Sequence, residues 1–179
     1  MNIHIRQARP DDAQTVFALV QKAFEQEEHS DHQEQFLVEK LCLSTGFITE
    51  LSLVAELDHK LVGYILLTKI KIVNENSKTS YTSLALAPIA VSPEFQGKAI
   101  GSKLIAEAHQ IAEQLQFGSI IVLGHADYYP KFGYKKMIEY GIKMPFDAPN
   151  ENCMLIELRQ GALAGISGTV SYPKEFGIQ

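Results

Sequence analysis

Cysteine is scarce in this chain. Cys42 and Cys153 stand far apart and no Cys-x-x-Cys occurs, which excludes a disulfide framework and a cysteine-rich zinc site. Positive charge is also short. Lys and Arg total 16 against 21 Asp and Glu, giving a net charge of -5 with no basic cluster. Binding to a phosphate backbone rests on Lys/Arg neutralisation, so nucleic acid is excluded as a partner, while a basic partner such as an amine stays open. Long hydrophobic runs are missing too. Leu61 to Leu67 and Leu84 to Val91 are the longest apolar stretches, too short to span a bilayer, so no membrane partner is expected. The start, Met1 to Asp12, carries Arg6, Arg9 and two acids but no apolar segment, unlike a secretory signal. No repeat or low-complexity segment occurs. A reduced, cytoplasmic setting is expected. What remains is ordinary globular composition: 179 residues, 46% hydrophobic and 21% charged, the size of one domain.

Periodicity divides the chain into alternating elements. Ile3 to Arg6 alternates as a first strand. Pro10-Asp11-Asp12 is a helix-start signal, and Val16, Leu19, Val20, Ala23 and Phe24 follow at helical spacing. Phe36, Leu37, Lys40 and Leu41 predict a second helix ending near Gly46. Leu51 to Leu57 and Leu61 to Ile72 predict a hairpin turning at Asp58-His59-Lys60, followed by a polar loop from Asn74 to Ser80. Leu84 to Val91 is apolar on both faces, as in a central strand, except for Pro88. Proline cannot donate a ladder hydrogen bond, so a bulge or an opened edge is expected there. Ile100, Leu104, Ala108, Ile111 and Leu115 mark a third helix, closed by Gly118, whose aliphatic positions are core. Ser119 to Leu123 is a further apolar strand. Asp127 to Phe132 reads as a short helix, and Tyr134 to Met144 and Cys153 to Leu158 as late strands. Gly161 to Gln179 is a Gly-rich tail with little helical potential.

The strand–helix–strand run from Leu84 to Leu123 should place two strands in parallel. Ligands of open α/β sheets bind beyond the carboxyl ends of such strands, where the loops Ser92 to Ser102 and Gly124 to Tyr134 emerge. The first loop reads Gln96-Gly97-Lys98-Ala99-Ile100-Gly101-Ser102. Small residues let backbone N–H groups approach a ligand closely. They also open a helix whose first-turn amides are unpaired and whose dipole favours an anion. A pyrophosphate cradle and a plain tight turn both fit these residues. The loop matches neither a Walker A sequence nor the dinucleotide G-x-G-x-x-G fingerprint.

These residues, with Tyr129-Pro130-Lys131-Phe132-Gly133-Tyr134, resemble the GNAT superfamily of N-acetyltransferases, specifically a bacterial subgroup of predicted acetyltransferases. Gln96, Ala99 and Gly101 stand at the fixed positions of that family's Q/R-x-x-G-x-G/A loop, and the second motif matches Tyr-x-Lys-x-Gly-aromatic. Ala99 departs from the usual glycine. It would be strained at positive φ and harmless at helical φ. The resemblance implies an α/β fold: a central mixed, mostly antiparallel sheet, splayed between strands 4 and 5 and flanked by helices. It implies a transferase domain over 1–158, with 159–179 as a Gly-rich extension packed on it. It further implies acetyl-CoA as cosubstrate with no metal, and transfer by direct attack to a primary amine of a small molecule or a protein. A homodimer is left open. A non-catalytic acyl-CoA-binding or regulatory module is the alternative.

On the resemblance, the pantetheine arm would pair with the strand near Ile89, Ala90 and Val91. The pyrophosphate would meet the amides of Gly97, Lys98, Ala99, Ile100, Gly101 and Ser102, with Gln96 opening the loop. Tyr129 matches the tyrosine that hands a proton to the departing sulfur, although Tyr128 or Tyr134 could supply a hydroxyl instead. No Glu or Asp occupies Leu84 to Val91, where some relatives carry a base. His125 is then a candidate for proton handling, alongside a water chain or a merely structural role. Glu25, Glu27, Glu28, Asp31, Glu34 and Glu39 form an acidic run that either faces water or attracts a cationic amine. His29-x-x-His32 lacks further metal ligands, and Cys42 and Cys153 read as buried small hydrophobes.

Overall fold

The computed structural model describes residues 2–178; Met1 and Gln179, which bound the expected domain and tail, lie outside the described residues. In chain order the elements are β1 (His4–Gln7), α1 (Ala13–Phe24), α2 (Glu34–Cys42), β2 (Ser52–Leu57), β3 (Lys60–Asn74) and β4 (Thr79–Val91). They continue as α3 (Ile100–Gln114), β5 (Ser119–Leu123), β6 (Lys135–Lys136), β7 (Ile142–Lys143), β8 (Cys153–Glu157) and β9 (Gly168–Ser171). The strands join in one sheet of order β1-β2-β3-β4-β5-β8-β6, with β9 pairing β3 and β7. The β4–β5 and β7–β9 ladders are parallel, and β1–β2, β2–β3, β3–β9, β5–β8 and β6–β8 are antiparallel. This is the mixed, mostly antiparallel α/β architecture that the resemblance implied.

The chain divides into two compact units. The first holds residues up to Leu67 together with Ala87–Ile111. Its opening is locked by charge. Arg6 donates through both terminal nitrogens to the Asp12 carboxylate, at 2.7 and 3.0 Å, and through Nε to Glu56 Oε2 at 3.0 Å. The Asp12 carboxylate also accepts the Arg9 N–H at 2.7 Å. This network lies under an exposed turn at Pro10–Asp12 and fixes β1, the start of α1 and β2 together. The apolar stripe of α1 buries Val16, Leu19 and Val20, and α2 buries Gln35, Val38 and Leu41. Helix α3 buries Ile100, Leu104, Ile105 and Ala108. It comes close to β3 at Gly63, where a methyl group would stand 2.9 Å from Leu104 Cδ1, 3.1 Å from Ile100 Cγ2 and 3.3 Å from Ala55 Cβ. Glycine at this point lets the first turns of α3 lie directly on the sheet.

The second unit holds Thr68–Leu86 and the residues from Ala112 on. Ile70, Ile72, Ala85, Ile121, Met137, Ile142, Leu155, Leu163 and Val170 pack into its core. The parallel β4–β5 ladder consists of Leu84↔Ile120 and Ala85↔Ile121, so the registered pairing ends before Pro88, as expected of an opened edge. Beside it, the buried Ser83 and Ser119 hydroxyls hydrogen-bond each other at 2.7 Å. The Gly-rich tail supplies β9, registered against Lys71–Val73 of β3.

Several expected boundaries move. The loop before β4 shortens to residues 75–78, because β3 runs to Asn74 and β4 begins at Thr79. Leu51 falls in a turn before β2. Helix α3 ends at Gln114 without reaching Gly118: Gln116 takes the left-handed conformation, φ +67°, and Phe117 N–H closes onto the Ala112 carbonyl. The expected strand from Tyr134 to Met144 is two two-residue pieces, β6 and β7, separated by a 3-10 turn over Met137–Tyr140. Of its apolar residues, Met137 is buried from the turn, Ile142 from β7 and Tyr134 from just before β6. The expected helix from Asp127 contracts to one 3-10 turn, Tyr129–Phe132. Cys153 is buried as expected, but Cys42 is exposed, because Leu41 beside it at the end of α2 takes the inward position.

Candidate active site

In the first unit, β4 ends at Val91, and the chain turns through Pro93–Phe95 into the loop 96–99 that opens α3. Ala90 is buried, whereas Ile89 and Val91 are half-buried. The Ser92 N–H bonds the Val62 carbonyl at 2.9 Å. The Gln96 side chain folds back and donates Nε2 to the Val91 carbonyl at 3.2 Å. Lys98 donates to the Glu94 carbonyl at 3.1 Å and lies 4.9 Å over the Phe95 ring. Both long side chains therefore brace the loop from within.

The loop conformation leaves a run of donors open. Gly97 and Ala99 both adopt left-handed backbone, φ +72° and +61°. The first bond of the α3 ladder is Lys103 N–H to the Ala99 carbonyl at 3.1 Å. Among the described residues, the amides of Gly97, Lys98, Ala99, Ile100, Gly101 and Ser102 have no acceptor. Consecutive amides of this kind at a helix N-terminus form an anion-binding concavity. Of the two alternatives for Ala99, the structure takes the strained one, which L-residues other than Asn and Asp rarely adopt.

The second unit carries the Tyr-x-Lys-x-Gly-aromatic segment. Tyr129 is 5% exposed and Tyr134 is 3% exposed. The Tyr129 ring makes edge contacts with Tyr128 at 5.2 Å and Tyr134 at 5.4 Å between centroids. Burial, reinforced by Tyr128, pushes the Tyr129 phenol well above its ordinary pKa, and burial does the same to Tyr134. Lys131 turns its ammonium over the Tyr128 ring at 3.8 Å. His125 is exposed, and its carbonyl accepts the Tyr128 N–H at 3.0 Å, which starts the turn into the motif.

Most of the acidic run faces solvent: Glu25, Glu28, Asp31 and Glu39 are exposed. Glu34 differs. Its Oε1 accepts the Ser30 hydroxyl, while its Oε2 is buried without a hydrogen-bond partner among the described residues. The neighbouring Gln35 is buried, gives Nε2 to the His32 carbonyl at 3.0 Å, and leaves Oε1 buried and unpartnered. His32 Nδ1 lies 2.9 Å from the Phe24 carbonyl, and no metal-binding cluster occurs among the described residues.

A model of the acetyltransferase (GNAT) domain matches residues 49–136, the stretch that holds both loops. The chain is 36% identical over 103 residues to the uncharacterised N-acetyltransferase YjhQ of Escherichia coli K12, covering 57% of this chain and 56% of YjhQ. It is 25% identical to the E. coli N-acetyltransferase YhbS over 96% of this chain and 97% of that one. The crystal structure of E. coli YhbS in complex with CoA superposes with a TM-score of 0.88 at 22% identity, over 99% of this chain and 93% of that chain. A GNAT acetyltransferase from Brucella melitensis in complex with acetyl-CoA gives 0.79 at 26%, over 98% of each.

Residues 49–136 of the chain are a GNAT acetyltransferase domain. In and around this GNAT domain, three features escaped the sequence reading. The inward Gln35 was detectable, since it precedes Val38 by three positions on the same helical face. Nothing in the sequence showed that the Gln96 side chain would close the loop. The third is Gly124, whose place for a Cβ is occupied by the Tyr129 ring, 2.2 Å from Tyr129 Cε2.

Proposed function

We propose that this protein transfers the acetyl group of acetyl-CoA to a primary amine, and that the loop from Gly97 to Ser102 holds the coenzyme pyrophosphate. The observation that carries this reading is the run of open amides at the mouth of α3. The family match, and the relatives crystallised with CoA and acetyl-CoA, support it. Backbone donors suit this task because they cannot rotate away and need no counter-charge from a basic surface.

The transfer balances simply. The amine nitrogen bonds the acetyl carbon, the carbon–sulfur bond breaks, and the proton lost by nitrogen is replaced on sulfur. An alkyl ammonium has a pKa near ~10, so the amine must shed its proton before attack. We assign Tyr129 as the donor to the leaving sulfur. Its buried phenol keeps its proton throughout the physiological range and offers it as charge develops on sulfur. His125 and the backbone of Ile89 to Val91 keep their proposed roles in proton handling and in pairing with the pantetheine arm. The acidic run of Glu25, Glu27, Glu28, Asp31, Glu34 and Glu39 would attract a cationic amine acceptor.

The test combines the protein, acetyl-CoA and an amine panel, with free thiol and acetylated product followed together. Amine-dependent release of both is expected. Binding of CoA with no transfer to any amine would favour the non-catalytic acyl-CoA-binding module. Tyr129→Phe should lower kcat on the order of 10²-fold with KM for acetyl-CoA nearly unchanged. Unaltered turnover would remove Tyr129 from the mechanism.

A further inference from the structure

We infer that Asn152 and Gly124 are positioning residues that hold the Tyr129 ring in its working orientation. The inference rests on the role assigned to Tyr129 above. Gly124 follows directly on the last residue of β5. The antiparallel β5–β8 ladder reaches Leu123↔Cys153, and Gly124 extends it by one further bond, N–H to the Asn152 carbonyl at 3.0 Å. The reciprocal backbone bond is missing, because the Asn152 N–H is already spent on the Pro149 carbonyl at 2.9 Å. The Asn152 side chain fills that vacancy: Nδ2 donates to the Gly124 carbonyl at 2.9 Å. One residue therefore holds both polar groups of Gly124, one through its backbone and the other through its amide.

The flat surface held this way is what the tyrosine rests on. A Cβ at Gly124 would stand 2.2 Å from Tyr129 Cε2, 2.9 Å from Cδ2 and 3.1 Å from Cζ. The ring has little freedom to yield, since Tyr128 and Tyr134 press its edges and it is almost wholly buried. Any side chain at position 124 must therefore tilt or displace the ring that carries the hydroxyl. Losing the Asn152 amide would leave the Gly124 carbonyl without its partner and free the same peptide to rotate. Neither residue needs to touch the coenzyme to act.

The experiment is a cycle of kcat measurements by thiol release, with Gly124→Ala, Asn152→Ala and the isosteric Asn152→Asp each made in the Tyr129 and Tyr129→Phe backgrounds. Each of the three should lower kcat about 10-fold in the Tyr129 background with KM for acetyl-CoA changed less than about 3-fold. In the Tyr129→Phe background each should lower kcat less than about 3-fold, because the displaced ring no longer carries the hydroxyl. General unfolding would depress both backgrounds alike, so thermal melts of all variants are recorded and kcat is taken per folded protein. Equal losses in both backgrounds, or no loss in either, overturn the inference. If Tyr129→Phe alone leaves kcat intact, the assignment of Tyr129 itself fails, and the positioning role fails with it.

Discussion

Replacing Ala99 by glycine removes a Cβ from a left-handed residue and touches nothing else. Ala99 has φ +61° and is exposed, so its methyl contributes no burial. Left-handed backbone costs an L-residue about 1–2 kcal/mol, which glycine avoids. Glycine also gains freedom in the unfolded chain, which returns about 0.4–1 kcal/mol of that. Ala99→Gly should therefore stabilise the protein by about 0.5–1 kcal/mol, a rise in Tm of about 1–4 °C for a chain of this size. Gly97 provides the control: its φ is +72° and no atom lies within 4 Å of its Cβ position. Gly97→Ala should thus show the conformational cost alone, a loss of about 1 kcal/mol. Urea melts with matched m-values measure both. An Ala99→Gly variant that melts below the parent, or a neutral Gly97→Ala, would refute the left-handed geometry and with it the proposed aim of the loop amides.

Gly63→Ala drives a methyl between Leu104, Ile100 and Ala55, and should cost about 1–3 kcal/mol in urea denaturation while shifting α3 off the sheet. The hydrogen bonds from Arg6 hold the Asp12 carboxyl below its ordinary pKa, despite the opposing effect of burial. Its stabilisation is complete above the unfolded value near ~3.9 and is lost as pH falls from there through the lower native value. Asp12→Asn should remove about 2 kcal/mol at pH 7 and flatten that acid limb in a stability–pH profile. Burial lowers His109 to a pKa of about 4. Between an unfolded value near ~6.5 and that value the unfolded chain binds more protons, so stability should fall as pH drops through this window. His109→Gln should abolish that slope in melts recorded from pH 7 to pH 4.

Much of this molecule follows from local pattern. The spacing of Ile100, Leu104 and Ala108 set α3, the alternation around Asp58-His59 set the β2–β3 hairpin, and the strand–helix–strand order set the parallel β4–β5 pair. These signals are local because each reports one face of one element against a core. Both chemical segments were also readable, since small residues before a helix and a tyrosine before a glycine turn carry their chemistry in residue type.

Tertiary structure decided the rest. Sequence left φ at Ala99 open between two wells, and the path from β4 into α3 selected the left-handed one. Composition marked an acidic run as a whole, whereas packing turned most of its members to water and left Glu34 Oε2 buried without a partner. Tyr134 to Met144 read as one late strand, but a turn at Met137–Tyr140, which buries Met137, splits it into β6 and β7. The Gly124–Asn152 bracket joins residues far apart in the chain, and only the β5–β8 register brings them together. Periodicity records which side of an element meets the core; it does not record which distant group will satisfy a given carbonyl or lie against a given ring.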